Sequence, residues 1–201
     1  MLRSFARLAR HRVDVAAHRL EALALEFHQH HAGLAEQSQD TVYLSEPSGS
    51  EAVCTAREEG AYPIKALPLH VGIRRPLGVG AGGLAILAAM TMPQAQEIMR
   101  ANAARYRAYG GIDMAYLEAS IEEARSRGWA SVADKATSGM AAIGVPILDR
   151  SGEPLGAISI AAITQRMTVE RQTELARMLR AQCAATSAAM AALVPPAIQA
   201  T

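Results

Sequence analysis

Three places in this 201-residue chain combine residue types at spacings that chemistry uses. The first is Gly78-x-Gly80-x-x-Gly83, which reads literally as a dinucleotide-binding turn. That chemistry needs a buried strand leading in, a parallel strand after the helix, and an acid to hold a ribose. Here Arg74-Arg75-Pro76 leads in, the helix is followed by more helix, and Glu97 falls inside a helical stretch. Dinucleotide binding is therefore not expected. Two readings remain for the same glycines. Backbone N–H groups at a helix start free of Cβ atoms form an anion site suited to a carboxylate, or the glycines only let the helix pack closely on a sheet.

The second place is His28, His30 and His31. His28 and His31 share a helical face, but no third ligand of suitable spacing accompanies them, so a solvated helix end is expected and no metal. His70, at the end of a strand-like run, fits a core or a pocket. The third place holds the candidate nucleophiles. No G-x-S-x-G elbow and no H-E-x-x-H occurs. Cys54 sits in an apolar strand context, where a buried structural thiol is expected. In Ala157-Ile158-Ser159-Ile160-Ala161, period two puts Ser159 on one face with Ala157 and Ala161, and the two isoleucines on the other. Small residues then leave a concavity with a hydroxyl in it, or the serine simply bonds a neighbouring backbone group.

The elements that must position these residues follow from periodicity. Leu20, Leu23, Phe27 and Leu34 fall at helical spacing in the first 36 residues, and the helix should end among Gln37–Asp40. Thr41–Ser45 and Ala52–Thr55 flank Pro47-Ser48-Gly49-Ser50 as a hairpin, and Ile64–Val71 alternates as a third strand with Pro68 marking an edge or bulge. Helices are expected over Leu84–Met90, Pro93–Tyr109 and Asp113–Arg127, the last ended by Gly128. A strand at 129–134 and a hairpin of Ile143–Leu148 with Leu155–Ile160 come next. Thr168 caps a final helix that carries Leu175, Met178, Leu179, Cys183, Met190 and Leu193 and stops at Pro195-Pro196. Three strands, three helices and three strands between terminal helices predict an α+β domain: a mostly antiparallel sheet of about six strands with helices on both faces. The terminal helices should share one face.

Composition removes several function classes. Half the residues are hydrophobic, which excludes a disordered chain. Only eight are aromatic and the net charge is +1, which argues against base-stacking platforms and compact basic DNA-binding modules. Two distant cysteines fit a reducing cytoplasm, and no apolar run approaches a membrane span. Arg3, Arg7, Arg10 and Arg12, with no acid among them, have the look of a transit peptide, but the basic face of a helix is the expectation.

Several strings, in order, resemble one family. Pro76-Leu77-Gly78-Val79-Gly80-Ala81-Gly82-Gly83-Leu84-Ala85 precedes Gly139-Met140-Ala141-Ala142-Ile143-Gly144-Val145-Pro146-Ile147-Leu148-Asp149. Gly152–Ile160, Arg166-Met167-Thr168 and the early Asp40-Thr41-Val42-Tyr43-Leu44 extend the pattern. From about residue 38 to 190 the chain resembles the effector-binding domain of IclR-type transcriptional regulators. The resemblance implies a GAF-like domain that encloses a small-molecule pocket, assembles into a homodimer or tetramer, and modulates DNA binding. By position, the pocket falls on Leu67, Ala81, Gly82, Val132, Met140, Ala142, Ser159 and Ala161.

Departures from the family pattern shape the expected ligand. Ala142, Ala161 and Val132 are apolar where members offer polar or acidic groups, and Gly78 replaces a common histidine. A small organic effector with one carboxylate and an apolar or aromatic body is expected. Residues 1–37 are read as a linker helix region, 38–195 as the effector-binding domain and 196–201 as a tail. The family's helix-turn-helix has no room before residue 38, so DNA is expected to be met only through a domain absent from this chain. A small-molecule enzyme using Cys54 or Ser159 is the alternative, for which the sequence supplies no paired acid and base. No cofactor is expected.

Overall fold

A computed structural model of the chain describes residues 32–193 together with Leu23. The N-terminal arginines, His28, His30, His31 and the Pro195-Pro196 stop lie outside the described residues. Helix α1 (Ala32–Ser38) leads into the hairpin β1 (Thr41–Ser48) and β2 (Glu51–Glu58), followed by a short β3 (Arg74–Pro76). Three helices come next: α2 (Gly80–Ala89), α3 (Met92–Tyr106) and α4 (Met114–Arg127). Strands β4 (Ala130–Ala133), β5 (Met140–Leu148) and β6 (Pro154–Ile163) precede α5 (Val169–Leu193). The strands form one antiparallel sheet in the order β3-β2-β1-β6-β5-β4, with the first and last long strands side by side at its centre. This is the α+β arrangement expected.

Local chemistry sets the helix ends. Thr91 and Gln94 form a reciprocal capping box at α3. Asp113 accepts the Tyr116 N–H at 2.8 Å to start α4, and Gly128, left-handed at φ 78°, closes it. The Thr168 hydroxyl accepts the Arg171 N–H at 3.3 Å at the start of α5.

The sheet has two unlike faces. Val42, Leu44, Ile143, Val145, Ile158 and Ile160 pack under α5 and α1, with Leu34, Leu175, Leu179 and Cys183. The opposite face carries Ala142, Gly144, Ala157, Ser159 and Ala161, and α2 lies on it. Residues 81 to 88 of α2 are all buried, as an all-round apolar helix requires when it sits between a sheet and other helices. The approach is close: a Cβ built on Gly144 would stand 2.5 Å from the Ala81 carbonyl oxygen. Only glycine lets the first turn of α2 rest there.

One expected strand is absent. Ile64–Val71 is irregular, and the third strand lies at Arg74–Pro76 instead. Pro63 and Pro68 remove ladder donors from that run, and edge pairing resumes only where Gly72 donates to Cys54 and Cys54 to Ile73. Carbonyls in the run go to side chains instead: Tyr43 Oη donates to Ala66 at 2.8 Å, and Arg75 Nη2 to Pro68 at 2.7 Å.

Two carboxylates are buried at the sheet. Asp40 accepts from Arg166 Nε and Arg171 Nη2, each at 2.9 Å, joining the end of α1 to the start of α5. Both arginines also reach the Ser38 carbonyl, and Arg166 lies 3.7 Å above the Tyr62 ring. Glu46 is 2% exposed. Thr55, left unpaired by a bulge between β1 and β2, donates to its Oε1 at 2.7 Å, and among the described residues Oε2 has no partner. Burial pushes the Glu46 carboxyl up from 4.5 to about 7.

Two stability predictions follow from these contacts. Gly144→Ala should lower stability by about 1–3 kcal/mol, because the methyl must displace the Ala81 carbonyl; an unchanged urea midpoint would contradict the close seat of α2. For Glu46, the folded state holds its proton more tightly than the unfolded chain. Its contribution is therefore complete below pH 4.5 and is lost as pH rises through about 7. Relative to wild type, Glu46→Gln should gain about 3 kcal/mol between pH 4.5 and 8, read as a Tm difference that widens with pH. A constant difference would contradict the raised value.

Candidate functional site

Between the first turn of α2, the central strands and the irregular run before β3 lies a cavity of about 60 Å³. Tyr43 and Ser45 of β1 and Ser159 and Ala161 of β6 form its floor. The register Tyr43↔Ser159↔Gly144 places these residues in one row across three strands. Ala81, Gly82 and Gly83 form the roof. Val132, Ala136, Thr137, Met140 and Ala142 close one side; Pro68, Leu69 and Arg75 close the other.

Of the residues expected in a pocket, Ala81, Gly82, Val132, Met140, Ala142, Ser159 and Ala161 line this one cavity. Leu67 does not. The Tyr43 hydroxyl holds the Ala66 carbonyl and Ala66 is buried, which turns Leu67 outward to 42% exposure; Pro68 and Leu69 take the lining position. His70 is exposed as well. The glycines act differently at different positions. Gly78 serves packing, since a Cβ there would stand 2.8 Å from Leu117 Cδ2. At Gly82 a Cβ would stand 2.9 Å from Ser45 Oγ and 3.4 Å from Ser159 Oγ, so the missing side chain leaves two hydroxyls facing the first turn of α2. Val79 at the N-cap has no side chain to cap that turn.

The cavity is apolar with a positive rim. No Asp, Glu, His or Lys lines it, and Arg75 is its charged residue. Burial pulls the Arg75 pKa below its ordinary value, yet an arginine remains a cation at neutral pH. Burial raises the Tyr43 phenol well above its ordinary range. Arg75, Tyr43, Ser45 and Thr137 were not singled out by sequence. Alternation held a usable signal for Arg75: Arg74 points out to Glu51 at 2.9 Å, so its neighbour must point the other way.

Cys54 is buried, contacts the Ala56 carbonyl, and its thiol is pushed up to about 11 by burial. Cys183, on the buried side of α5, is pushed up to about 12 by burial. Ser159 meets no lining residue able to take its proton. Among the described residues, no group of three or more His, Cys, Asp and Glu could hold a metal ion, and no helix is long and apolar enough to cross a membrane.

The fold and this cavity define a class: an antiparallel α+β domain that shelters a small, hydroxyl-floored pocket under a helix N-terminus. The chain belongs to the IclR family, and residues 16–188 match its domain described as "Bacterial transcriptional regulator IclR C-terminal". It is 27% identical over 136 residues to the Pca regulon regulatory protein of Pseudomonas putida, covering 67% of this chain and 47% of that one. With the HTH-type transcriptional repressor AllR of Klebsiella pneumoniae it shares 25% over 144 residues, 71% of this chain and 53% of the repressor. The chain thus spans about half the length of these relatives. Among solved structures, Thermotoga maritima IclR superposes with a TM-score of 0.78 at 22% identity, covering 89% of this chain and 73% of that one. The C-terminal domain of the E. coli regulator KdgR superposes with 0.70 at 21%, covering 86% and 98%. The expected GAF-like α+β architecture is that of these regulators.

Native protein at pH 8 should release almost no colour with a thiol-specific disulfide reagent, and two equivalents once unfolded, because a buried thiol with a raised pKa is inert. Rapid reaction of Cys54 in the native state would contradict this.

Proposed function

We propose that this chain is the effector-binding and self-associating part of an IclR-type regulator, with residues 38–195 as the sensing unit and 1–37 as linker. In this reading it carries out no catalysis and works in the cytoplasm as a homodimer or tetramer. DNA is contacted by a helix-turn-helix domain outside these residues, whose affinity changes when the cavity fills. The observation that carries the reading is the cavity itself. It is lined by apolar side chains, floored by two hydroxyls and roofed by a helix start without a side-chain cap.

That lining supports a small organic acid with an apolar body. The carboxylate is favoured at the first turn of α2, where unpaired N–H groups and the helix dipole attract negative charge. The apolar body lies against Val132, Met140, Ala142 and Ala161. Room limits the body. Cavities of about 150 Å³ take benzene, so an aromatic acid needs the run at 64–71 to give way.

Calorimetric titration of the purified chain with benzoate and with pyruvate tests the ligand class. Benzoate is expected to bind at least about tenfold more tightly, a difference of about 1.4 kcal/mol. Tighter binding of pyruvate would sink the apolar-body reading.

A further inference from the structure

Arg75 occupies an unusual position at the cavity rim. Its neighbours of like charge are committed to carboxylates: Arg74 and Arg105 to Glu51, and Arg57 to Glu59. Among the described residues Arg75 has no ion-pair partner, although it is partly buried and lines the cavity. Its one hydrogen bond runs from Nη2 to the Pro68 carbonyl at 2.7 Å. A guanidinium has five N–H donors in a planar fork suited to a carboxylate. Spending one of them on a neutral carbonyl leaves both charge and donors uncompensated.

The bond to Pro68 matters because of what Pro68 belongs to. The run from Glu59 to Ile73 has no ladder of its own over its middle. Three side chains from outside the run hold carbonyls of its middle: Tyr43 that of Ala66, Arg75 that of Pro68, and Arg57 that of Leu69 at 3.3 Å. Two of those donors, Tyr43 and Arg75, also line the cavity. The outer side of the run shows Ile64 and Val71 to solvent, 58% and 60% exposed. It is therefore tethered chiefly from the cavity side.

We infer that Arg75 is the specificity-determining residue of the cavity: it selects an anionic ligand by exchanging the Pro68 carbonyl for the ligand's carboxylate. The inference rests on the ligand-binding reading above and deepens it. The guanidinium already brings its charge to the bond with Pro68; a carboxylate adds the opposite charge and can take two parallel N–H donors at once, so a carboxylate in the cavity outcompetes Pro68. The exchange removes one of the three side-chain bonds that hold the middle of the run, and the run yields the room an apolar body needs. A neutral ligand of the same shape leaves the tether in place.

The test uses two shape-matched pairs, benzoate with benzamide and isobutyrate with isobutyramide, titrated calorimetrically into the purified chain. Wild type should bind each acid about 10- to 100-fold more tightly than its amide, the range expected for a charged hydrogen bond. Arg75→Met, which lacks both the fork and the tether to Pro68, should bind the acid and the amide of each pair alike and so lose the preference. Arg75→Lys, which keeps the charge without the fork, should retain part of it and guards against misfolding of the first variant. Arg74→Gln should change nothing. Backbone hydrogen exchange in residues 59–73 should quicken with benzoate and not with benzamide. An acid preference that survives Arg75→Met, equal binding of acid and amide by wild type, or exchange unaltered by benzoate would each overturn the inference while ligand binding stands. Wild type binding neither member of either pair would overturn the ligand-binding reading, and this inference with it.

Discussion

The constraint on which the rest of this domain depends is the close seat of α2 on the sheet. A helix that is apolar all round is stable in water only if it is covered on every side. The sheet beneath, α4 beside it and the neighbouring helix α3 provide that cover. A helix rests this near a sheet only where the sheet offers no side-chain bulk. Gly144 provides that under Ala81, and Ala142, Ala157 and Ala161 extend the small-residue surface. The seat brings the first turn of α2 against the sheet, and Ser45 and Ser159 keep that contact polar. The cavity is thus what remains where glycine and alanine let a helix come close without filling the floor.

The two faces of the sheet divide the work. The face under α5 and α1 is filled with branched residues. Its rim is fixed by Asp40, which takes two arginines from beyond β6. Breaking one partner of so buried an ion pair strands a charge. Glu46 is the costlier inhabitant of the sheet: one oxygen satisfied by Thr55, the other by nothing among the described residues, and a proton held to about pH 7. The face under α2 is built of small residues, and the pocket lies there.

Much of this order was legible in the sequence because it is written locally. Period two in Ala157-Ile158-Ser159-Ile160-Ala161 separated the two faces, and Asp113, Gly128 and Thr168 marked helix ends at the positions the structure uses. The run Ile64–Val71 misled because alternation is necessary for a strand but not sufficient: Pro63 and Pro68 took away donors, and the carbonyls were claimed by side chains distant in sequence. Leu67 failed for the same reason, one residue out of phase with the Tyr43 tether. Arg75 was overlooked because its meaning lies in a relation. An Arg-Arg pair before a glycine run says little until one arginine has found Glu51 and the other has not.

These facts also determine where the domain is free to change. The floor of the cavity is central sheet, held on both sides by ladder bonds. Its roof is α2, locked between sheet and helices with eight consecutive buried residues. Neither can move without forfeiting packing that stabilises the whole fold. The 59–73 run is different: it is joined to the sheet near its ends, and its middle is held by single side-chain bonds to carbonyls. Local opening starts where few contacts must be broken together. On the ligand-binding proposal, a change in what fills the cavity is absorbed by this run, whose outer side presents Ile64 and Val71. The rigid remainder keeps the polar floor and the helix start in register while the run yields.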